Sequence, residues 1–264
     1  MSLAAAALAA ALQTSCFSAP IGAIFVRAQT QLGSVGSEQL KLIGFARDPK
    51  SSELRYCEQY WLTPGDKSQA QQVRIDYFSP SGQRFAYKRL TTTDSPYHYD
   101  VLQQRLNGER QAVTHLATSP QQPSLLELSY QSNSDARRRH KTLKRQDVDI
   151  VDSALHFWIQ DHWQQLMQGQ RLQATVASPR HLLAAKANIE RSDCRAIDDL
   201  PASQHSSEQC VIIAPSNVLL RWFVPALRLG YDTQRRLRDY LGLTNISTDG
   251  SNRTVYVQYH HAPD

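Results

Sequence analysis

The sequence lacks an apolar run long enough to cross a bilayer as a helix, which takes about 20 residues; its longest, Leu3 to Leu12, falls well short. It also lacks the usual catalytic signatures. There is no G-x-S-x-G elbow, no H-E-x-x-H pair, no glycine-rich phosphate loop and no C-x-x-C pair. These absences remove the common serine hydrolase, zinc peptidase, nucleotide-binding and thiol-redox classes. No catalytic residue, metal or cofactor is nominated. Charge is missing from the first 26 residues, Arg27 being the first charged side chain. No internal repeat or low-complexity linker divides the chain, so one domain is expected.

What is present begins with that uncharged start. Leu3 to Leu12, followed by Ser15, Cys16, Phe17, Ser18, Ala19 and Pro20, reads as a secretory signal over residues 1–18 with a cut after Ser18, although the basic start of such a signal is missing. The alternative is a lipoprotein anchored through Cys16, with Gln13 standing where that signal wants leucine. Either reading places the mature chain in the periplasm or outside the cell. Residues 19–38 read as a flexible lead-in and 39–264 as a single β-rich domain. At 41% hydrophobic and 20% charged the composition is that of a globular protein. A net charge of +5 permits anionic partners without requiring them.

Most of the chain alternates apolar and polar side chains with the period of a half-buried strand. Tyr56 and Tyr60 share a face; so do Val73, Ile75 and Tyr77, then Phe85 and Tyr87, and finally Val255, Val257 and Tyr259. Ser79 to Gly82 and Asn107-Gly108 read as tight turns. One stretch departs from this: Asp149 to Gly169 has apolar residues at 151, 154, 155, 158, 159, 163, 166 and 167, a single stripe at helical spacing. Asp149 can cap it, and Gly169 can end it. The expected fold is therefore α+β, mainly antiparallel: a strongly curved sheet or incomplete barrel packed around one long amphipathic helix.

Cys194 and Cys210 flank a polar stretch between two strand-like segments, and a disulfide is expected to staple its base. Cys57 then stays a free, buried thiol, and zinc is disfavoured without a close cysteine pair. Arg137 to Arg145 is the densest basic run. It suits a solvated edge strand or, as the functional alternative, an anionic headgroup. Nucleic acid is excluded as a partner because no aromatic residues are interleaved with these cations.

Several stretches resemble an uncharacterised family of secreted proteins from Gram-negative bacteria. They are Glu53 to Tyr56 with Glu58; Tyr77 through Gly82 to Lys88; Asp152, Trp158, Ile159, Trp163, Leu166 and Gly169; Tyr231-Asp232 with Arg235 to Leu237; and Gly242 to Ile246. Leu155 and His156 depart from that pattern, where an aromatic and an aspartate are expected. The resemblance implies no activity. A looser likeness is to lipoprotein carriers, incomplete antiparallel barrels around an apolar cavity.

His156 and His162 lie six residues apart and point in different directions on a helix, so they cannot chelate one ion alone. His162 falls on the apolar stripe, as a core histidine does. The candidate ligand-binding residues are Trp158, His162 and Trp163 within the sheet, with Arg137, Arg138 and Arg139 at its rim. The expected function is an exported envelope protein that binds a lipid or other apolar ligand. The alternatives are an envelope scaffold that binds protein partners and, third, a hydrolase with an unrecognised site.

Overall fold

The computed structural model describes residues 16, 20–32, 38–63, 72–92, 97–116, 124–203, 207–217, 219, 224–244, 246 and 253–263. The apolar run 3–12 and the cut after Ser18 lie outside them. Eight strands follow one another: β1 (Gln39–Arg47), β2 (Leu54–Thr63), β3 (Gln72–Phe78), β4 (Arg84–Thr92), β5 (Tyr99–Arg105), β6 (Arg110–Leu116), β7 (Leu125–Gln131) and β8 (Arg139–Lys144). The short β9 (Ile150–Val151) opens the segment that crosses the interior, and after it come β10 (Leu172–Ser178), β11 (Leu183–Ser192), β12 (Gln209–Pro215), β13 (Leu227–Tyr231), β14 (Leu237–Leu243) and β15 (Thr254–His261). Strands adjacent in sequence pair, except β8 with β9, and β15 pairs with β1, so that the described residues form one 15-stranded sheet whose margins are β8 and β9. The pairing is antiparallel except between β9 and β10.

The alternation read from sequence sets the two faces. Tyr60, Glu58 and Tyr56 stand opposite Leu42, Gly44 and Ala46 on β1, and Tyr60 and Glu58 stand opposite Ile75 and Tyr77 on β3. Directly opposed residues project to the same side of a sheet, so these line the inner face. Asn107-Gly108 makes the β5–β6 turn, with Gly108 at φ 86°, a left-handed conformation that glycine adopts without strain. A Cβ there would also lie 2.4 Å from the backbone nitrogen of Ser134.

The long amphipathic helix expected over 149–169 is not there. The stretch from 149 to 169 contains the short strand β9, a 3-10 turn over Asp152–Ala154, and two short helices, α2 (Leu155–Asp161) and α3 (Trp163–Met167). Tertiary hydrogen bonds take its first residues away from a helix. The Asp149 N–H donates to the Thr175 carbonyl, the Val151 N–H donates to the Tyr97 carbonyl, and the Asp149 carboxylate accepts from the Thr175 N–H. Asp152 then turns the chain with φ 48°. At His162 the regular helix breaks, with φ −99° and ψ 13°, where the ring Nδ1 lies 2.8 Å from the Trp158 carbonyl oxygen. A side chain bonding four residues back in this way competes with regular helix.

The apolar stripe is nonetheless buried. Trp158, Ile159, Trp163 and Leu166 share one core with Leu90, Val101, Val113, Leu126 and Leu128 from β4–β7, and with Ala174, Ile189, Val211, Ile213 and Leu229 from β10–β13. The sheet thus folds back on itself, barrel-like, and side chains from 148–167 fill the space between its halves. Each fully buried large apolar side chain contributes about 1.5–3 kcal/mol relative to exposure.

The outer face carries two smaller layers, each with a disulfide. Helix α1 (Ile21–Leu32) occupies part of the stretch read as a lead-in and packs Ile24 and Phe25 against Leu40, Ile43, Cys57 and Phe78. Cys57 is not free: it is bonded to Cys16. Position and local turn signals could not reveal a partner 41 residues away. Cys194 is bonded to Cys210, as the flanked loop suggested. Between them, α4 (Arg195–Asp198) sets Ile197 against Cys210 and Tyr256.

Candidate functional site

A buried polar cluster lies on the inner face of β2–β4, beneath the segment that crosses the interior. Glu58 is 4% exposed. Tyr60 donates its hydroxyl to Glu58 Oε1 at 3.0 Å, and Tyr259 makes a second hydrogen bond to the same carboxyl group. Gly44 leaves the room for this: a Cβ there would lie 2.8 Å from both Glu58 Cγ and Tyr259 Cε1. Burial raises the Glu58 pKa above its ordinary value of 4.5, against the opposing pull of the two tyrosines and of Lys88.

Lys88, on β4, donates to Asp152 Oδ1 at 2.7 Å, and their side chains are 5% and 8% exposed. This buried ion pair ties the sheet wall to the crossing segment at the residue where its backbone turns left-handed. Tyr77 feels the charges of both Glu58 and Asp152, as does Tyr240, and burial raises the pKa of both phenols. Tyr56 closes the group through a 3.0 Å hydrogen bond with Thr244 Oγ1, and burial keeps its phenol protonated too. The members are partnered with one another, so they hold the fold together and offer no open position to a reactant.

Sequence reasoning missed this cluster as a site, although a signal existed. By parity Glu58 falls on the same face as Tyr56 and Tyr60, and Lys88 on the face of Ala86 and Leu90, so both are charges at core positions. Tyr56, Glu58, Tyr77, Lys88, Asp152 and Thr244 come from four of the stretches that carry the family resemblance.

A second polar region surrounds an open cleft of about 450 Å³ lined by Tyr97, His98, Ser124, Arg145, Gln146, Val148 and Asp149. Its side chains are used structurally. Arg145 Nε–H donates to His98 Nδ1 at 3.0 Å, which leaves the His98 Nε2–H to donate to the Val148 carbonyl at 2.8 Å. Beside it, His115 Nδ1 lies 2.8 Å from Asp100 Oδ1, an orientation known from catalytic dyads. Yet its Nε2 is buried without a hydrogen-bond partner among the described residues, so no nucleophile is in reach. Among the described residues no group of three or more His, Cys, Asp or Glu side chains could hold a metal ion.

The nominated ligand-binding residues separate into two neighbourhoods. Trp158 and Trp163 are 6% and 7% exposed. Trp163 sets its edge on Tyr231 at 5.1 Å, with Arg235 over its ring. His162 stacks on Trp158 at 3.9 Å. Of the arginines, Arg138 donates to Ser129 Oγ at 2.8 Å, Arg139 lies over Tyr130 at 5.5 Å, and Arg137 is exposed.

No protein family matches the sequence, and no curated protein matches it. Among solved structures, one similar to this chain is a β-barrel-like protein of a domain of unknown function (DUF1849) from Brucella abortus. It shares 8% identity at a TM-score of 0.47, over 84% of this chain and 97% of that one. Another is a porin-like protein from Bacteroides uniformis, with 10% identity at a TM-score of 0.26, over 86% of this chain and 97% of that one. Both scores lie below 0.5, too low to carry fold or activity across.

Proposed function

We propose that the protein is exported to an oxidising envelope compartment and acts there by binding, with recognition on its outer rim and not in its interior. The observation that supports this is the filling of that interior. A carrier needs a continuous void for an acyl chain, and the faces that would line one are packed by Trp158, Ile159, Trp163 and Leu166 or occupied by the Glu58–Lys88–Asp152 cluster. Two disulfides favour an oxidising compartment. No helix of the described residues is long and apolar enough to cross a membrane. The sheet also ends in β8, a cationic margin strand in which all residues but Leu143 are exposed. Such a margin suits an anionic partner and discourages edge-to-edge association.

The test is native mass spectrometry of the protein isolated from its own envelope fraction. The expected species is the oxidised chain without a stoichiometric lipid. An acyl lipid released by organic extraction in equal proportion to the chain restores the carrier reading, and a reduced protein recovered from the cytoplasm removes the export.

A further inference from the structure

The cationic margin and the turn between β10 and β11 meet at one aromatic ring. Tyr130 on β7 has Arg139 of β8 at 5.5 Å from its ring centroid and Arg180, from the β10–β11 turn, at 5.9 Å. Register adds a third cation. Arg139 stands opposite Tyr130 and Lys141 opposite Leu128, so both project to the face that Tyr130 uses. Arg138 is directed elsewhere by the alternation and bonds Ser129, which stands opposite His140.

The acid that holds Arg180 is already shared. Glu109 takes Arg105 on Oε2 at 2.7 Å, and on Oε1 it takes Arg180 at 3.1 Å and Gln111 at 3.3 Å. Arg105 and Glu109 are 6% and 5% exposed, so this base is rigid. It fixes Arg180, whose side chain is 19% exposed, with one edge of the guanidinium held and the remainder facing the ring. Among the described residues the side chains of Arg139 and Lys141 make no ion pair or hydrogen bond. Two guanidiniums are therefore held by the same phenol ring, Lys141 projects to the same face, and the carboxylate behind Arg180 is already shared with Arg105. Like charges so arranged repel unless an anion joins them, and guanidinium forks match the oxygens of phosphate.

We infer that Tyr130, Arg139, Lys141 and Arg180 form a binding site for a phosphate group, carried either by a soluble molecule or by a lipid headgroup. The inference builds on the reading of the rim as the recognition surface and gives that surface its ligand chemistry. It selects Arg139 from the three arginines singled out in the sequence and adds Arg180, which lies far from them in the chain.

The experiment is calorimetric titration of the full chain with inorganic phosphate at low ionic strength, comparing Arg139→Gln, Lys141→Gln and Arg180→Gln with two controls, Arg137→Gln and Lys144→Gln. The controls remove the same charge from exposed positions outside the ring cluster. Loss of a charge-assisted contact should weaken phosphate about tenfold or more, and the controls should change it by about twofold or less. Arg180→Gln also loosens Glu109, so if that variant fails to fold the exposed Arg139 and Lys141 variants decide. Flotation with phosphatidylglycerol and phosphatidylcholine vesicles then separates the sources. Retention on the anionic vesicles that Arg139→Gln abolishes assigns a headgroup; indifference to vesicles with intact phosphate binding assigns a soluble phosphate. No binding of phosphate at millimolar concentration, or equal weakening in controls and cluster variants, overturns the site. A lipid chain found inside the sheet would remove the rim reading while leaving this titration unchanged.

Discussion

Glu58 sits where the strand alternation calls for an apolar side chain, and its surroundings give a measurable signature. Burial is the largest influence on its carboxyl group and raises the pKa above 4.5; hydrogen bonds from Tyr259 and Tyr60 and the charge of Lys88 oppose it. A carboxyl group with a raised pKa when folded favours the native state most while protonated. That contribution is complete below the ordinary glutamate value and is lost as pH rises through the folded one. A glutamine at 58 can accept the same tyrosine hydrogen bonds without titrating. Denaturant unfolding of the wild type and Glu58→Gln should therefore show the wild type losing ground to the variant as pH climbs from 4 upward. Each unit of the shift corresponds to about 1.4 kcal/mol. A difference between the two proteins that stays constant with pH would show that Glu58 ionises as freely in the fold as outside it. Gly44 belongs to the same reasoning, since Glu58 and Tyr259 occupy the space that its missing side chain leaves.

At the level of elements, the strands were readable because the period of two is local, and the Asn107-Gly108 and Ser79–Gly82 turns carry their own chemistry. Three things were not local. The extent of the helix depended on competition from Thr175 and Tyr97, residues distant in sequence from Asp149 and Val151. The Asp152–Lys88 pair spans 64 residues, and the Cys16–Cys57 bond joins β2 to a residue 41 positions away, ahead of the outer helix. The stripe of Trp158, Ile159, Trp163 and Leu166 was legible as a buried face even though the helix around it was too long. Helix α2 also offers a pH test that sequence alone did not suggest. Its His156 stacks on Tyr231 at 5.8 Å, and burial, assisted by the charge of His261, lowers its pKa from 6.5 to about 4. As pH falls through 6.5 the unfolded chain takes up this proton and the folded chain does not until about 4. Stability is therefore lost across that window, on the order of 3 kcal/mol for this one group. His156→Phe keeps an aromatic ring against Tyr231 and removes the titration. Its unfolding free energy should fall less steeply between pH 6.5 and 4 than that of the wild type, and parallel slopes would place the His156 ring in solvent.

For the whole molecule, the sheet supplies a filled interior and the two disulfides secure what lies outside it. Cys16–Cys57 holds the α1 layer over β1–β3, and Cys194–Cys210 holds the α4 loop over β12–β15, where Ser207 donates to Asp239 at 2.5 Å and Tyr256 donates to the same carboxylate at 2.6 Å. In the chain-entropy treatment, closing loops with separations of 41 and 16 residues contributes about 4 and about 3 kcal/mol. The longer loop also bears on processing. A cut after Ser18 removes Cys16 and leaves Cys57 a free thiol, whereas the Cys16–Cys57 bond, packed with Ile24, Phe25 and Phe78, forms only in a chain that keeps Cys16. A sulfur bonded to Cys57 is likewise not available to carry a lipid, which argues against anchoring through Cys16. Intact-mass analysis and non-reducing peptide mapping of the native protein should find Cys16 retained, both disulfides formed and no thiol open to alkylation. Cys16→Ser should then lower stability at least as much as Cys194→Ser, because its loop is the longer and its layer loses the tie to β2. A native chain beginning at Ala19, with Cys57 alkylated under denaturing conditions, would show that α1 packs without its disulfide and that the sequence reading of the signal was the right one.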